Sequence, residues 1–195
     1  MVRNSGITRG LGKLPNIEVS QIEGVRLTQI SSVADSRGNF IKILPSVFFQ
    51  NTLDSVAYST NLRAGTIRGI HFQIEPNSEE KIITCVQGST FEVVIDIRPD
   101  SESFGGIATF ELSQENGKQV YLPRGIAHGF QTLVDDTILQ YCLTAKYSPE
   151  SSYSIDPFGD TGIRWPMEDY SISTRDSSGV SFSFAAQKYA ESLWR

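Results

Sequence analysis

The chain is poor in the residues that usually build metal centres and disulfide frameworks: among 195 residues there are two histidines, two cysteines, two methionines and two tryptophans. Cys85 and Cys142 lie inside apolar strand-like runs without CxxC spacing, so they read as buried free thiols of a reducing compartment rather than as a redox pair. No apolar run approaches the roughly 20 residues that a membrane span requires. Basic residues are also outnumbered, 17 Lys+Arg against 22 Asp+Glu for a net charge of −5. That balance argues against nucleic acid as the main partner, and any anionic ligand must meet a local positive site. The first thirteen residues carry Arg3, Arg9 and Lys13 but lack an apolar core, so secretion is unsupported and a cytoplasmic protein is expected. Residues 1–16 read as a flexible tail, and 17–195 as one domain.

What is present is a succession of short strands separated by turn residues. Ile17–Val33 alternates loosely and ends at the turn Asp35-Ser36-Arg37-Gly38, followed by a strand over Phe40–Leu44. A short helix is expected over Pro45–Thr52. Lys81–Val86 and Thr90–Arg98 flank Gln87-Gly88-Ser89, which predicts a hairpin, with His71 and Lys81 on neighbouring strands facing one interior. Asn116-Gly117 predicts a second hairpin between Ile107–Leu112 and Gln119–Leu122. Ala127–Leu133 and Thr137–Thr144 follow, with almost no helix between strands, and the pattern points to an all-β sandwich or small barrel. Ser148–Gly179 reads as irregular. Ala186, Tyr189, Ala190 and Leu193 recur at helical spacing, predicting a C-terminal helix docked by one face.

His71 and His128 sit on different strands, where they are either two core histidines or a pair at one cavity. A metal site completed by Glu92 and Asp96 is weighed and set below a metal-free one, since His71-Phe72-Gln73 lacks the second histidine of an HxH pair. A histidine base, a lysine and a tyrosine acid suffice for proton transfer next to a carbonyl, the ammonium stabilising the enolate oxygen. Tyr141 and Tyr147 are candidates for the acid.

Several motifs in order carry a resemblance: Arg68–Gln73 (RGIHFQ), Lys81, Phe91–Arg98, Leu122–Phe130 (LPRGIAHGF), Tyr147-Ser148-Pro149-Glu150 and Gly162–Pro166 (GIRWP). Together they are similar to the dTDP-4-dehydrorhamnose 3,5-epimerase family. The resemblance implies a cupin-type double-stranded β-helix, or jelly roll, with a few short helices. It also implies a homodimer without metal or other cofactor, which inverts the carbons flanking the ketone of a nucleotide-linked 4-keto-6-deoxyhexose. By the same resemblance His71 is the general base, Asp176 its carboxylate partner, Lys81 the enolate stabiliser and Tyr141 the proton donor. Tyr147 would stack on the nucleotide base, Arg37 and Arg68 would contact diphosphate or sugar, and Gln73, Glu92, His128 and Arg175 would complete the substrate site. The chain departs from the family at Lys42 (usually Glu), Glu92 (Asp), Arg175 (Lys) and Ser152 (Glu). These departures leave open an epimerase of one carbon only, one for a different sugar, or a binding protein without catalysis.

Overall fold

The computed structural model describes residues 17–19, 21–43 and 52–194. The expected tail and nearly all of the expected Pro45–Thr52 helix lie outside them. In chain order the elements are β1 (Ile17–Val19), β2 (Arg26–Gln29), β3 (Ser31–Asp35), β4 (Gly38–Lys42), β5 (Ser55–Asn61), β6 (Thr66–Gln73), β7 (Lys81–Gln87), β8 (Ser89–Asp96) and β9 (Ile107–Ser113). They continue with β10 (Lys118–Leu122), β11 (Ile126–Thr132), β12 (Thr137–Leu143), β13 (Ser152–Ser154), β14 (Ser171–Ile172), α1 (Thr174–Ser177) and α2 (Phe182–Ser192).

One sheet has the order β1-β2-β10-β7-β12-β5 and the other β13-β6-β11-β8-β9, with β14 also on β6; β3 and β4 form a separate hairpin. From β5 to β12 every connection except β8 to β9 carries the chain from one sheet to the other. This alternation is the signature of the cupin-type jelly roll. It also corrects both expected hairpins, because β7 pairs with β10 and β12 while β8 pairs with β11 and β9. The turns at Gly88 and Asn116-Gly117 cross between layers, and His71 and Lys81 face each other from opposite sheets rather than from neighbouring strands. Gly88 permits the crossing through its positive φ of 77°, and a Cβ there would lie 2.4 Å from the Thr137 hydroxyl.

The second sheet buries both faces, which explains the unbroken apolar run Val93-Val94-Ile95. Val94 points inward to pack with Ile83, Leu112, Phe130 and Leu139. Val93, Ile95 and Ile97 point outward and pack with Ile70, Phe72, Ala127, Ala185 and Tyr189, under α2. Each such side chain, fully buried, contributes about 1.5–3 kcal/mol. The helix starts at Ser181, whose side chain accepts a hydrogen bond from the Phe184 N–H. Its buried residues are Ala185, Ala186, Tyr189 and Ser192, whereas Leu193 is exposed. The docked face is therefore rotated from the one the sequence suggests, since Ser192 turns inward to meet the Tyr189 carbonyl and the Glu75 N–H. The stretch expected to be irregular, Ser148–Gly179, instead supplies β13, β14 and α1, all against β6.

Candidate active site

The site is organised by an irregularity in β6. His71 pairs with His128 and Arg68 with Phe130, so three steps along β6 match two along β11. Residues three apart on a regular strand face opposite sides; the extra residue returns Arg68 and His71 to the same side, toward the other sheet. Gly69 makes this possible. Its φ is 113°, and a Cβ would lie 2.5 Å from the Gly129 Cα on the adjacent strand.

The Gly69 N–H, freed by that irregularity, donates to Asp176 Oδ2 at 3.2 Å. Asp176 Oδ1 lies 2.7 Å from His71 Nε2, and the Ser154 hydroxyl reaches the same oxygen at 3.4 Å. Asp176 stands in α1, where its own N–H bonds to the Ser173 side chain that caps the helix. Burial pushes the Asp176 carboxyl upward, but the His71 hydrogen bond and charge, the Gly69 N–H and the Ser173 hydroxyl outweigh it and hold the pKa below the ordinary value. An ionised carboxylate only accepts, so His71 Nε2 carries its proton toward Asp176 and the lone pair is left on Nδ1. The His71 side chain is 37% exposed and that of Asp176 6%.

A second pair lies beside the first. His128 Nε2 is 2.5 Å from Glu92 Oε2, and Thr90 donates to the other Glu92 oxygen. His128 is buried, and that burial lowers its pKa despite the pull of Glu92, with Lys81 and His71 adding to the decrease. It is a neutral imidazole in a closed setting.

His71 opens on a cavity of about 260 Å³, together with Gln73, Glu79, Lys81, Tyr147, Ser152 and Arg175. Lys81 Nζ is 3.0 Å from Glu79 Oε1. Arg175 donates to the Tyr147 hydroxyl at 3.0 Å and to the Ser152 hydroxyl at 2.8 Å, with Tyr147 itself 63% exposed. Gln73 lines the cavity while its amide is engaged by the carbonyls of Asn77 and Lys146 and the Ser148 N–H. It thereby fixes the loop that carries Tyr147. Arg68 borders a neighbouring hollow of about 240 Å³ with Asp176, and its Nε donates to Asn61 at 2.8 Å.

Tyr141 does not line the His71 cavity. It lies on β12 against the inner core and is hydrogen-bonded to Ser59. Burial drives its pKa well above that of a free phenol, beyond what the Ser59 bond restores, and the Glu92 charge raises it further. The phenol is a proton carrier at any ordinary pH. Arg37 is not brought to this cavity either. It sits at the tip of the β3–β4 hairpin, 87% exposed in its side chain and paired with Asp35 at 2.6 Å.

Asp96, weighed and set aside as a metal ligand in the sequence, stands in a structural ion pair. It is fully buried at the end of β8, bound to Arg98 at 2.7 Å and to the Ser101 and Ser103 hydroxyls. Glu92 is instead taken up by His128. Among the described residues there is no cluster of three or more His, Cys, Asp or Glu side chains placed to hold a metal ion. The sequence reading missed Ser59, Asn61 and Glu79; for Glu79 the signal was its place two residues before Lys81, which puts both on one side of an extended chain.

The family model described as dTDP-4-dehydrorhamnose 3,5-epimerase matches residues 19–183. A dTDP-4-dehydrorhamnose 3,5-epimerase of Sinorhizobium fredii is 39% identical over 166 residues, covering 80% of this chain and 84% of the relative. A dTDP-4-dehydrorhamnose 3-epimerase of Streptomyces niveus is 31% identical over 166 residues, covering 82% and 80%. Among solved structures, a dTDP-6-deoxy-D-glucose-3,5-epimerase of Legionella pneumophila, in complex with dTDP-4-keto-L-rhamnose, superimposes with a TM-score of 0.82 at 28% identity, covering 87% of this chain and 94% of that one. With this extent of agreement, the chain belongs to the dTDP-4-dehydrorhamnose 3,5-epimerase family.

Proposed function

We propose that the protein epimerises a dTDP-linked 4-keto-6-deoxyhexose at C3 and C5, by proton removal and return next to the ketone. The observation that carries this reading is the His71–Asp176 pair at 2.7 Å, half open to a cavity that also holds Lys81. His71 Nδ1 takes the proton from the carbon beside the carbonyl, and Asp176 stabilises the imidazolium that forms. The electron pair moves onto the carbonyl oxygen, where the Lys81 ammonium meets the charge. Tyr141, set on β12 beside rather than in the cavity, is the family-based candidate for the proton returned to the opposite face. Its phenolate regains a proton from water, and the proton on His71 passes to water. Tyr147 and Arg175 form the outer wall for the nucleotide, with Arg68, Gln73, His128 and Glu92 around the sugar.

The working enzyme in this reading is a cytoplasmic homodimer. The β3–β4 hairpin supports the dimer: Val33 and Phe40 are 69% and 72% exposed, and the hairpin pairs with no other strand among those described, which invites pairing with a second copy. Arg37 would then serve the partner's site. A second reading, inversion at one carbon only, is favoured by the Streptomyces relative named as a 3-epimerase. Incubation with dTDP-4-keto-6-deoxyglucose in D₂O, followed by mass spectrometry of the sugar, separates them. Two deuteria are expected; one indicates single inversion, and none rejects the epimerase reading.

A further inference from the structure

We propose that Glu79 is a positioning residue, which holds the Lys81 ammonium in place to meet the negative charge that develops on the substrate oxygen. The inference rests on the role given to Lys81 above. Glu79 Oε1 lies 3.0 Å from Lys81 Nζ, with the side chains only 10% and 13% exposed. An ion pair so sheltered is neither screened nor free to rearrange as surface pairs are. Both residues line the same cavity as His71, and among the described residues lining it Glu79 is the one carboxylate.

The loop that presents Glu79 is fixed on both sides. The next residue donates its N–H to the Thr144 hydroxyl at 2.9 Å and accepts the Thr144 N–H at 3.3 Å. Asn77 is held by the Ile74 carbonyl and the Ser151 hydroxyl. A rigid carboxylate that takes one of the three ammonium protons sets the direction of the other two. A lysine stem with four rotatable bonds otherwise has no such restraint.

Glu79 also opposes the positive potential around Lys81. The other ionisable groups facing this region are His71 on β6, His128 on β11 with Glu92 on β8, and Tyr147 and Arg175 at the mouth. Glu92 is engaged by His128. Removing the Glu79 charge therefore takes away an ion-pair partner that no other described carboxylate lining the cavity can replace.

The test compares Glu79→Ala and Glu79→Gln with wild-type enzyme, following turnover of dTDP-4-keto-6-deoxyglucose and binding of dTDP. In Glu79→Ala kcat is expected to fall about 10–100-fold, the cost of a displaced group at a reacting centre, with dTDP affinity within about twofold of wild type. Glu79→Gln, which keeps the oxygen and loses the charge, recovers part of kcat. In a Lys81→Met background, Glu79→Ala adds little, because its effect passes through the lysine. Unchanged kcat in both variants would overturn the proposal, as would loss of thermal stability with full kcat per folded molecule. Wild-type enzyme that neither turns over nor exchanges deuterium defeats the functional reading itself, and the inference with it.

Discussion

The two histidine–carboxylate pairs are made of the same groups, on adjacent strands whose histidines stand directly opposite in register, yet they are suited to different work. The His71 side chain is 37% exposed and its carboxylate comes from a helix outside the sheet. The His128 side chain is 6% exposed and its carboxylate comes from the neighbouring strand β8. A base must reach its substrate and pass its proton to water, so only the first pair can cycle. The second, enclosed and neutral, can shape a cavity and donate or accept a fixed hydrogen bond. Access, more than residue type, separates a reacting imidazole from a supporting one.

Replacing each histidine breaks the comparison most sharply. His71→Ala should abolish deuterium exchange, by three orders of magnitude or more, while circular dichroism and dTDP binding remain near wild type. Loss of the fold with exchange retained in the surviving protein would reverse the two roles. Asp176→Asn removes the charge but preserves the shape, and turnover should fall about 100-fold or more with an altered acidic limb. His128→Asn should act on the other side of the contrast: substrate KM rises and stability drops, with a smaller decrease in kcat.

The smallest effect expected is on stability against pH. Burial depresses the folded-state pKa of His128 below the ordinary value of 6.5. A group with a depressed folded pKa contributes stability that is present above its unfolded pKa and is lost as pH falls toward the folded one. The melting temperature should therefore decrease as pH drops below about 6.5. His128→Asn should flatten that part of the curve, leaving the later acid loss from Asp176 and Asp96, whose pKa values are also depressed. An identical slope in wild type and His128→Asn would contradict the neutral, enclosed imidazole.

Much of this was legible in the chain. The strands from β5 to β12 follow from alternating apolar residues and turn signals, and His71, Lys81, Tyr147, Arg175 and Asp176 were singled out from motifs. Their layering was not legible, because two strands joined by a tight turn show the same inward pattern whether they pair edge to edge or face each other across a sandwich. Gly88 and Asn116-Gly117 fit both arrangements. The role of Asp96 escaped notice for a related reason, since β8 is buried on both faces and its period is hidden, while the Arg98, Ser101 and Ser103 partners lie in the turn that follows. Glu79 and Ser59 escaped because their value depends on the side chain opposite, which sequence distance does not disclose.

The separation of His71 from Asp176, 105 residues along the chain, bears on the order in which the molecule matures. Strands β5 to β12 are all made before α1 leaves the ribosome, so the histidine is in place while its carboxylate is still unsynthesised. The nascent protein carries its base unarmed until the segment from Ser173 onward emerges, and a chain halted before Ser173 keeps every described strand but lacks the carboxylate that pairs with His71.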